Sequence, residues 1–144
     1  MSRPPRPAPR ETTTASEEET IRLARDLAKS FNGREVVLLT GELGAGKTVF
    51  VKGLAAGLGM KDTRSVCSPS YTLLNIYQAK FAIYHFDLYR LSRTSEVRDL
   101  GLEDFLENGV VVVEWAEKLP PDIQGIRVTI KVGKAGRRTI RVER

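Results

Sequence analysis

The chain has 144 residues, 41% hydrophobic and 28% charged, with a net charge of +5. That is one domain's length with enough apolar material for a core, and no apolar run approaches the roughly 20 residues that a membrane-spanning helix needs. A single cysteine, Cys67, and a single histidine, His85, exclude an internal disulfide and a Cys/His metal cluster.

Residues 1–10 carry three Arg and no acid, and residues 126–144 carry seven Lys/Arg and one Glu, so the segment between them is acidic by four charges. Basic ends of this kind suit RNA or an acidic partner, and they equally serve solubility. The opening MSRPPRPAPRETTT lacks the apolar stretch of a secretory signal, so a soluble cytoplasmic protein is expected. It also holds four of the seven prolines and little to bury, which predicts a disordered Arg/Pro-rich tail over residues 1–13 and one domain over residues 14–144.

Ser16-Glu-Glu-Glu19 has the spacing of a capping box, and Ile21, Ala24, Leu27, Ala28 and Phe31 follow at helical intervals, with Asn32-Gly33 as a left-handed stop. Glu35 to Thr40 is a short apolar run that reads as a buried strand and leads straight into a glycine-rich turn. Lys47 to Leu58 reads as a helix apolar on nearly every side except at Lys52, so it must pack against a sheet; Gly59 ends it. A loop around Cys67–Ser70 precedes a strand at Thr72–Tyr77, a turn at Gln78–Lys80 and a strand at Phe81–Phe86, together an antiparallel hairpin. Residues 95–107 predict short helices broken near Gly101, and Val110–Val113 predicts a strand at the sheet centre. Ile126, Val128, Ile130 and Val132 alternate with polar residues, as do Ile140 and Val142 after a Gly-Lys-Ala-Gly turn, which predicts a half-solvated hairpin at an edge. The order of elements gives an α/β fold.

Gly41, Glu42, Leu43, Gly44, Ala45, Gly46, Lys47 and Thr48 fit the phosphate-binding loop pattern, between an apolar strand and an apolar helix as that motif requires. Its backbone N–H groups converge on phosphates, Lys47 reaches the β and γ phosphates, Thr48 ligates Mg²⁺, and the helix start through Val49 adds its positive dipole end. A second Mg²⁺ anchor is expected at the end of a neighbouring strand, and Asp87 and Glu114 each close an apolar run. Asp87 is assigned to Mg²⁺ and Glu114 to the attacking water, with the two roles exchangeable. Trp115 reads as a core aromatic, a base-stacking platform or a partner contact. Ser68, Ser70 and Thr72 place hydroxyls where a γ-phosphate-sensing switch belongs, and a proline turn with serine capping explains them equally well. Cys67 reads as a small buried residue and His85 as structural.

With these segments in this order, the chain resembles the bacterial TsaE ATPases of tRNA threonylcarbamoyladenosine biosynthesis. The resemblance is carried by SEEET at Ser16–Thr20, GELGAGKT at Gly41–Thr48, SPSYTLLNIY at Ser68–Tyr77, HFDLYRL at His85–Leu91 and VVVVEWAEKLP at Val110–Pro120, and it runs from about Thr14 to Val142. It implies a compact phosphate-loop fold, with a mixed central sheet flanked by helices and a C-terminal antiparallel hairpin. It further implies a Mg²⁺-dependent ATPase that is weak alone and serves a transferase complex with TsaD-like and TsaB-like partners. ATP hydrolysis would reset that complex between turnovers, with tRNA contacted through the complex and the isolated chain a monomer. By the same resemblance Lys47 and Thr48 bind phosphate and Mg²⁺, Asp87 and Glu114 complete the metal and hydrolysis site, Ser68–Thr72 acts as a switch, and Ser16 to Thr20 lies near the nucleotide base. Three departures stand out: Ala116 where many members have Pro, Ser70 in place of the more usual Thr, and the extra Arg/Pro tail.

A small-molecule kinase would use the same loop, but it needs an arginine-bearing lid and an acceptor pocket for which this chain has little room. A GTPase lacks support, since no Asn-Lys-x-Asp segment occurs and the Asp122–Gly125 match follows prolines rather than a strand. A nucleotide-gated RNA-binding or assembly module acting through the basic ends is the non-enzyme alternative.

Overall fold

Valine and leucine fill two strands, Val36–Gly41 (β2) and Val110–Glu114 (β5), which pair in parallel with Val36 opposite Val111 and Leu39 opposite Glu114. Strands covered on both faces read as continuous apolar runs, and β5 is buried at all of its positions. The computed structural model describes residues 8–42 and 44–144. The other strands are Arg10–Thr14 (β1), Leu74–Gln78 (β3), Ala82–Asp87 (β4), Ile126–Val132 (β6) and Arg138–Glu143 (β7); the α-helices are Glu17–Ala28 (α1), Lys47–Gly57 (α2) and Thr94–Asp99 (α3). Among the described residues the strands form one mixed sheet in the order β1-β7-β6-β2-β5-β4-β3. β4, β5, β2 and β6 run parallel to one another, while β3, β7 and β1 pair antiparallel.

Alternation sends successive side chains to opposite faces. Val37, Leu39, Ile83, Val110, Val112, Val128 and Ile140 form one core with α1 and α2. Leu38, Phe86, Val111 and Val113 form the other with Leu88, Leu91, Val97 of α3, Leu102 and Ile123. The nearly all-round apolarity of α2 follows from its position between the sheet and α1. Gly53 and Gly57 let α1 come close: a methyl group at Gly53 would lie 2.5 Å from the Ala24 Cβ and the Ile21 carbonyl oxygen, and one at Gly57 2.4 Å from the Arg25 carbonyl oxygen.

The structure corrects the expected tail at residues 10–13. Arg10–Thr14 is β1, paired with β7 from Arg10 opposite Val142 to Thr14 opposite Arg138. Counting apolar side chains overlooked the backbone ladder that β7 offers, and Thr14 is buried with its hydroxyl 2.7 Å from that of Thr20. Residues 1–7 of the expected tail lie outside the described residues. The C-terminal hairpin β6–β7 is correspondingly not an edge, because β1 covers β7 and β2 covers β6. β2 holds the middle of the sheet, with the valine strand β5 directly beside it.

Smaller differences have local causes. Helix α1 begins as expected, with the Ser16 hydroxyl accepting from the Glu19 N–H at 3.2 Å, but the Glu19 carboxylate reaches the Ala15 N–H rather than that of Ser16. It stops at Ala28, and Gly33 (φ +99°) serves the later turn, where the Glu35 carboxylate accepts from the N–H groups of Asn32, Gly33 and Arg34. β3 starts at Leu74 rather than Thr72 because Leu73 takes a left-handed conformation, its N–H bonded to the Pro69 carbonyl. Cys67 is exposed rather than buried.

Candidate nucleotide site

The loop between β2 and α2 owes its shape to glycine. Gly44 (φ +79°) and Gly46 (φ +104°) adopt backbone conformations costly for other residues, and Gly46 delivers the chain into α2. No side chain caps the start of α2, and its first turn holds no acid, so its leading N–H groups and positive dipole end face a cleft of about 400 Å³. These are the requirements of an anion site.

Strand geometry supplies the carboxylates. Asp87 and Glu114 are the last residues of neighbouring parallel strands and lie opposite one another in register, both almost fully buried. The cleft lies at the carboxyl ends of these strands, where ligands of open α/β sheets bind. It gathers Ser16, Thr20, Gly44, Ala45, Gly46, Lys47, Thr48, Val49, Ser68, Ser70, Asp87, Glu114 and Trp115. Gly41 and Glu42 lie behind it, acting through their carbonyls and lining a neighbouring cavity with β6; Leu43 lies outside the described residues. Thr72 is not part of the cleft, contrary to expectation: it is exposed within the turn closed by the Leu73 N–H on the Pro69 carbonyl, with its hydroxyl on the Asn75 side-chain oxygen at 3.2 Å.

Lys47 is buried. Its Nζ donates to the carbonyls of Gly41 at 2.6 Å and Glu42 at 2.9 Å, and it sits 4.2 Å from the centre of the Trp115 ring. Burial draws its ammonium below the usual lysine range, an effect partly offset by the carboxylates of Glu114, Glu117 and Asp87. Trp115, at φ +60°, turns the chain out of β5 and stacks beside Tyr89, with ring centres 5.0 Å apart. The indole is half-buried: it packs against the core of Leu38, Phe86 and Val113 and also lines the cleft beside Lys47.

The Thr48 hydroxyl donates to the Glu114 carboxylate, 3.1 Å from Oε2 and 3.3 Å from Oε1. With its one proton used there, its lone pairs remain for a cation. Asp87 Oδ2 accepts from the hydroxyls of Ser68 and Ser70, and Oδ1 accepts from the Tyr89 N–H at 2.8 Å. This oxygen-only set fits Mg²⁺, which takes one or two protein carboxylates and fills its remaining positions with phosphate and water. A cation at Asp87 Oδ2 would share that oxygen with the two serine hydroxyls.

Three participants had no role in the sequence reading. His85 is fully buried with Nε2 2.6 Å from Glu114 Oε2, so it is more than structural filler. Its signal was the period-2 alternation of β4, which puts residues 85 and 87 on one face. Tyr89 lines the cleft two residues after Asp87. Arg138, from β7, lines it too and donates from Nε to the Ala45 carbonyl at 2.9 Å; no local pattern linked it to a loop more than 90 residues away.

Comparison with known proteins agrees with this geometry. Residues 14–140 match the family model for the threonylcarbamoyl adenosine biosynthesis protein TsaE. The Aquifex aeolicus tRNA threonylcarbamoyladenosine biosynthesis protein TsaE is 39% identical over 136 residues, covering 94% of this chain and 96% of the relative. The Rickettsia conorii protein of the same name is 44% identical over 106 residues, or 73% of this chain, and the match spans only 60% of that relative's length. The crystal structure of Bacillus subtilis YdiB superposes with a TM-score of 0.73 at 33% identity, covering 94% of this chain and 85% of that one. This chain belongs to the TsaE family.

Proposed function

We propose that this protein binds ATP with Mg²⁺ in the cleft at the start of α2 and hydrolyses it in the service of tRNA threonylcarbamoyladenosine biosynthesis. It works in the cytoplasm beside TsaD-like and TsaB-like proteins, reaches tRNA through that complex, and resets the transferase between turnovers. The observation that carries this reading is the convergence of an uncapped helix start, Lys47, Thr48 and two buried strand-end carboxylates on one cleft.

The backbone N–H groups of Gly44–Thr48 and the ammonium of Lys47 bind and orient phosphate oxygens. Lys47 is held in place beforehand by the carbonyls of Gly41 and Glu42, so little ordering is needed when the anion arrives. Thr48 and Asp87 would hold Mg²⁺, which when bound neutralises charge on the phosphates. Glu114 orients a water and accepts its proton as the water oxygen bonds the γ-phosphorus and the bond from that phosphorus to the β-phosphate bridging oxygen breaks, releasing ADP and phosphate. A cation held at Asp87 would lie beside the Ser68 and Ser70 hydroxyls, and this contact would link occupancy of the site to the 67–72 loop and through it to a partner. A partner that orders this loop would raise turnover above that of the isolated chain.

Phosphate release from Mg-ATP, measured with the protein alone and with the TsaD-like and TsaB-like partners, tests the proposal. Glu114→Gln should retain nucleotide binding and slow release by about 10²–10⁴-fold. Absence of release in every combination, or transfer of the phosphoryl group to a small-molecule acceptor, would overturn it.

A further inference from the structure

Glu114 is held from two sides, and only the Thr48 side belongs to the phosphate loop. On the other side, His85 Nε2 lies 2.6 Å from Oε2, and both residues are buried. An ionised carboxylate can only accept, so Nε2 donates. The opposite ring nitrogen, Nδ1, lies 2.9 Å from the Tyr77 hydroxyl and accepts its one proton, while the Tyr77 oxygen accepts from the Cys67 N–H at 3.4 Å. The strand register makes this chain possible: Asn75 lies opposite His85 and Tyr77 opposite Ile83, so Tyr77 is a diagonal neighbour of His85 on the same face. A continuous line of hydrogen bonds thus runs from Glu114 through His85 and Tyr77 to the loop whose serines bind Asp87.

We infer that His85 is the positioning residue for Glu114: its Nε2–H fixes the carboxylate, and the Tyr77 hydroxyl fixes the ring. The inference rests on the proposed role of Glu114 in handling the attacking water. The alignment of the Glu114 carboxylate in the cleft then depends on Oε2 being held by His85. The Thr48 contacts of 3.1 and 3.3 Å are longer than the 2.6 Å imidazole contact, and Thr48 is the side chain that must also serve the cation. His85 touches neither phosphate nor metal in this arrangement; it acts through Glu114.

His85 is the only histidine in the chain, so ¹⁵N-histidine labelling gives the two ring-nitrogen signals of a single imidazole. The free protein should show one slowly exchanging, downfield Nε2–H proton resonance, displaced in Glu114→Gln. In ATP hydrolysis, His85→Leu should lower kcat by about 10–100-fold while KM for ATP stays within about threefold. His85→Gln, whose amide nitrogen reaches the Nε2 position, should recover most of the rate. His85→Asn, whose amide reaches only the Nδ1 position, should not, and this pair decides the matter should the leucine variant fail to fold. Equal rates for the Gln and Asn variants, or a His85→Leu variant as fast as wild type, would overturn the inference. If wild type releases no phosphate even with partners, the ATPase reading falls by itself, and the imidazole resonance then decides alone: no displacement in Glu114→Gln would overturn the positioning.

Discussion

Replacing Gly53 with alanine tests how closely α1 and α2 pack. The added methyl would sit 2.5 Å from both the Ala24 Cβ and the Ile21 carbonyl oxygen, and the Ile21 Cα is 3.0 Å away. Two of the three neighbours are backbone, so no rotamer change relieves the clash and the helices must part by about 1 Å, a gap that forfeits a quarter to a half of each dispersion contact across it. Overpacking costs about 1–3 kcal/mol, and alanine returns about 1 kcal/mol of helix propensity, so the net change runs from near zero to a loss of about 2 kcal/mol. For a chain of this size the upper end of that range corresponds to a Tm lower by about 4–8 °C. Because α2 begins at Lys47, the displacement carries into the phosphate loop, and ATP affinity should fall along with Tm. Thermal unfolding followed by circular dichroism and nucleotide titration by calorimetry measure the two effects, with Lys52→Ala, at a half-exposed position of the same helix, as the control. A Gly53→Ala protein more stable than wild type by about 1 kcal/mol would refute the packing argument, since only the propensity gain would then remain.

Lys47→Met should abolish ATP binding yet raise the Tm of the free protein by about 3 °C, because it removes a buried charge whose proton the unfolded chain holds more tightly. Lys47 has its folded pKa lowered, so wild type gains stability as pH climbs from that lowered value toward 10.5, and the Tm gap to the variant should close over that window; a gap independent of pH contradicts the assignment. Burial raises the Tyr77 phenol above its usual 10.0, so the unfolded chain ionises first and wild type loses stability as pH rises from 10.0 toward the folded value. Tyr77→Phe should therefore gain on wild type above pH 10.0 in a series of melts, and parallel curves would count against a buried phenol. Deleting residues 1–13 should lower Tm by about 5 °C or more, through loss of the β1–β7 ladder; an unchanged melt would return these residues to the status of a tail.

What the sequence disclosed depended on how far apart the interacting residues lie. The phosphate loop was legible because eight contiguous residues between a strand and a helix carry it, and Asp87 and Glu114 because apolar runs end abruptly on them. β1 was invisible for the opposite reason: its stabilisation comes from a strand about 130 residues away and from backbone groups that composition does not register. The misplaced sheet edge followed from that omission. Arg138 was hidden by the same distance. His85 was set aside because a lone histidine suggests no cluster, although alternation along β4 already put it on the face of Asp87. Thr72 was included because it shares a hydroxyl-rich segment with Ser68 and Ser70, and the left-handed turn at Leu73 excludes it from the cleft.

The pairing of β1 with β7 also sets a timetable. Ribosomes make residue 10 early and residue 142 late, so β1 cannot find its partner until almost the whole chain has emerged. Thr14, the last residue of β1, is tied through its hydroxyl to Thr20 on the first turn of α1, and that turn forms one wall of the nucleotide cleft. The phosphate loop and its helix are therefore available well before the cleft is closed on that side. A nascent chain has the glycine-rich loop and its helix before it has a finished cleft, and the cleft is complete only with the final strand.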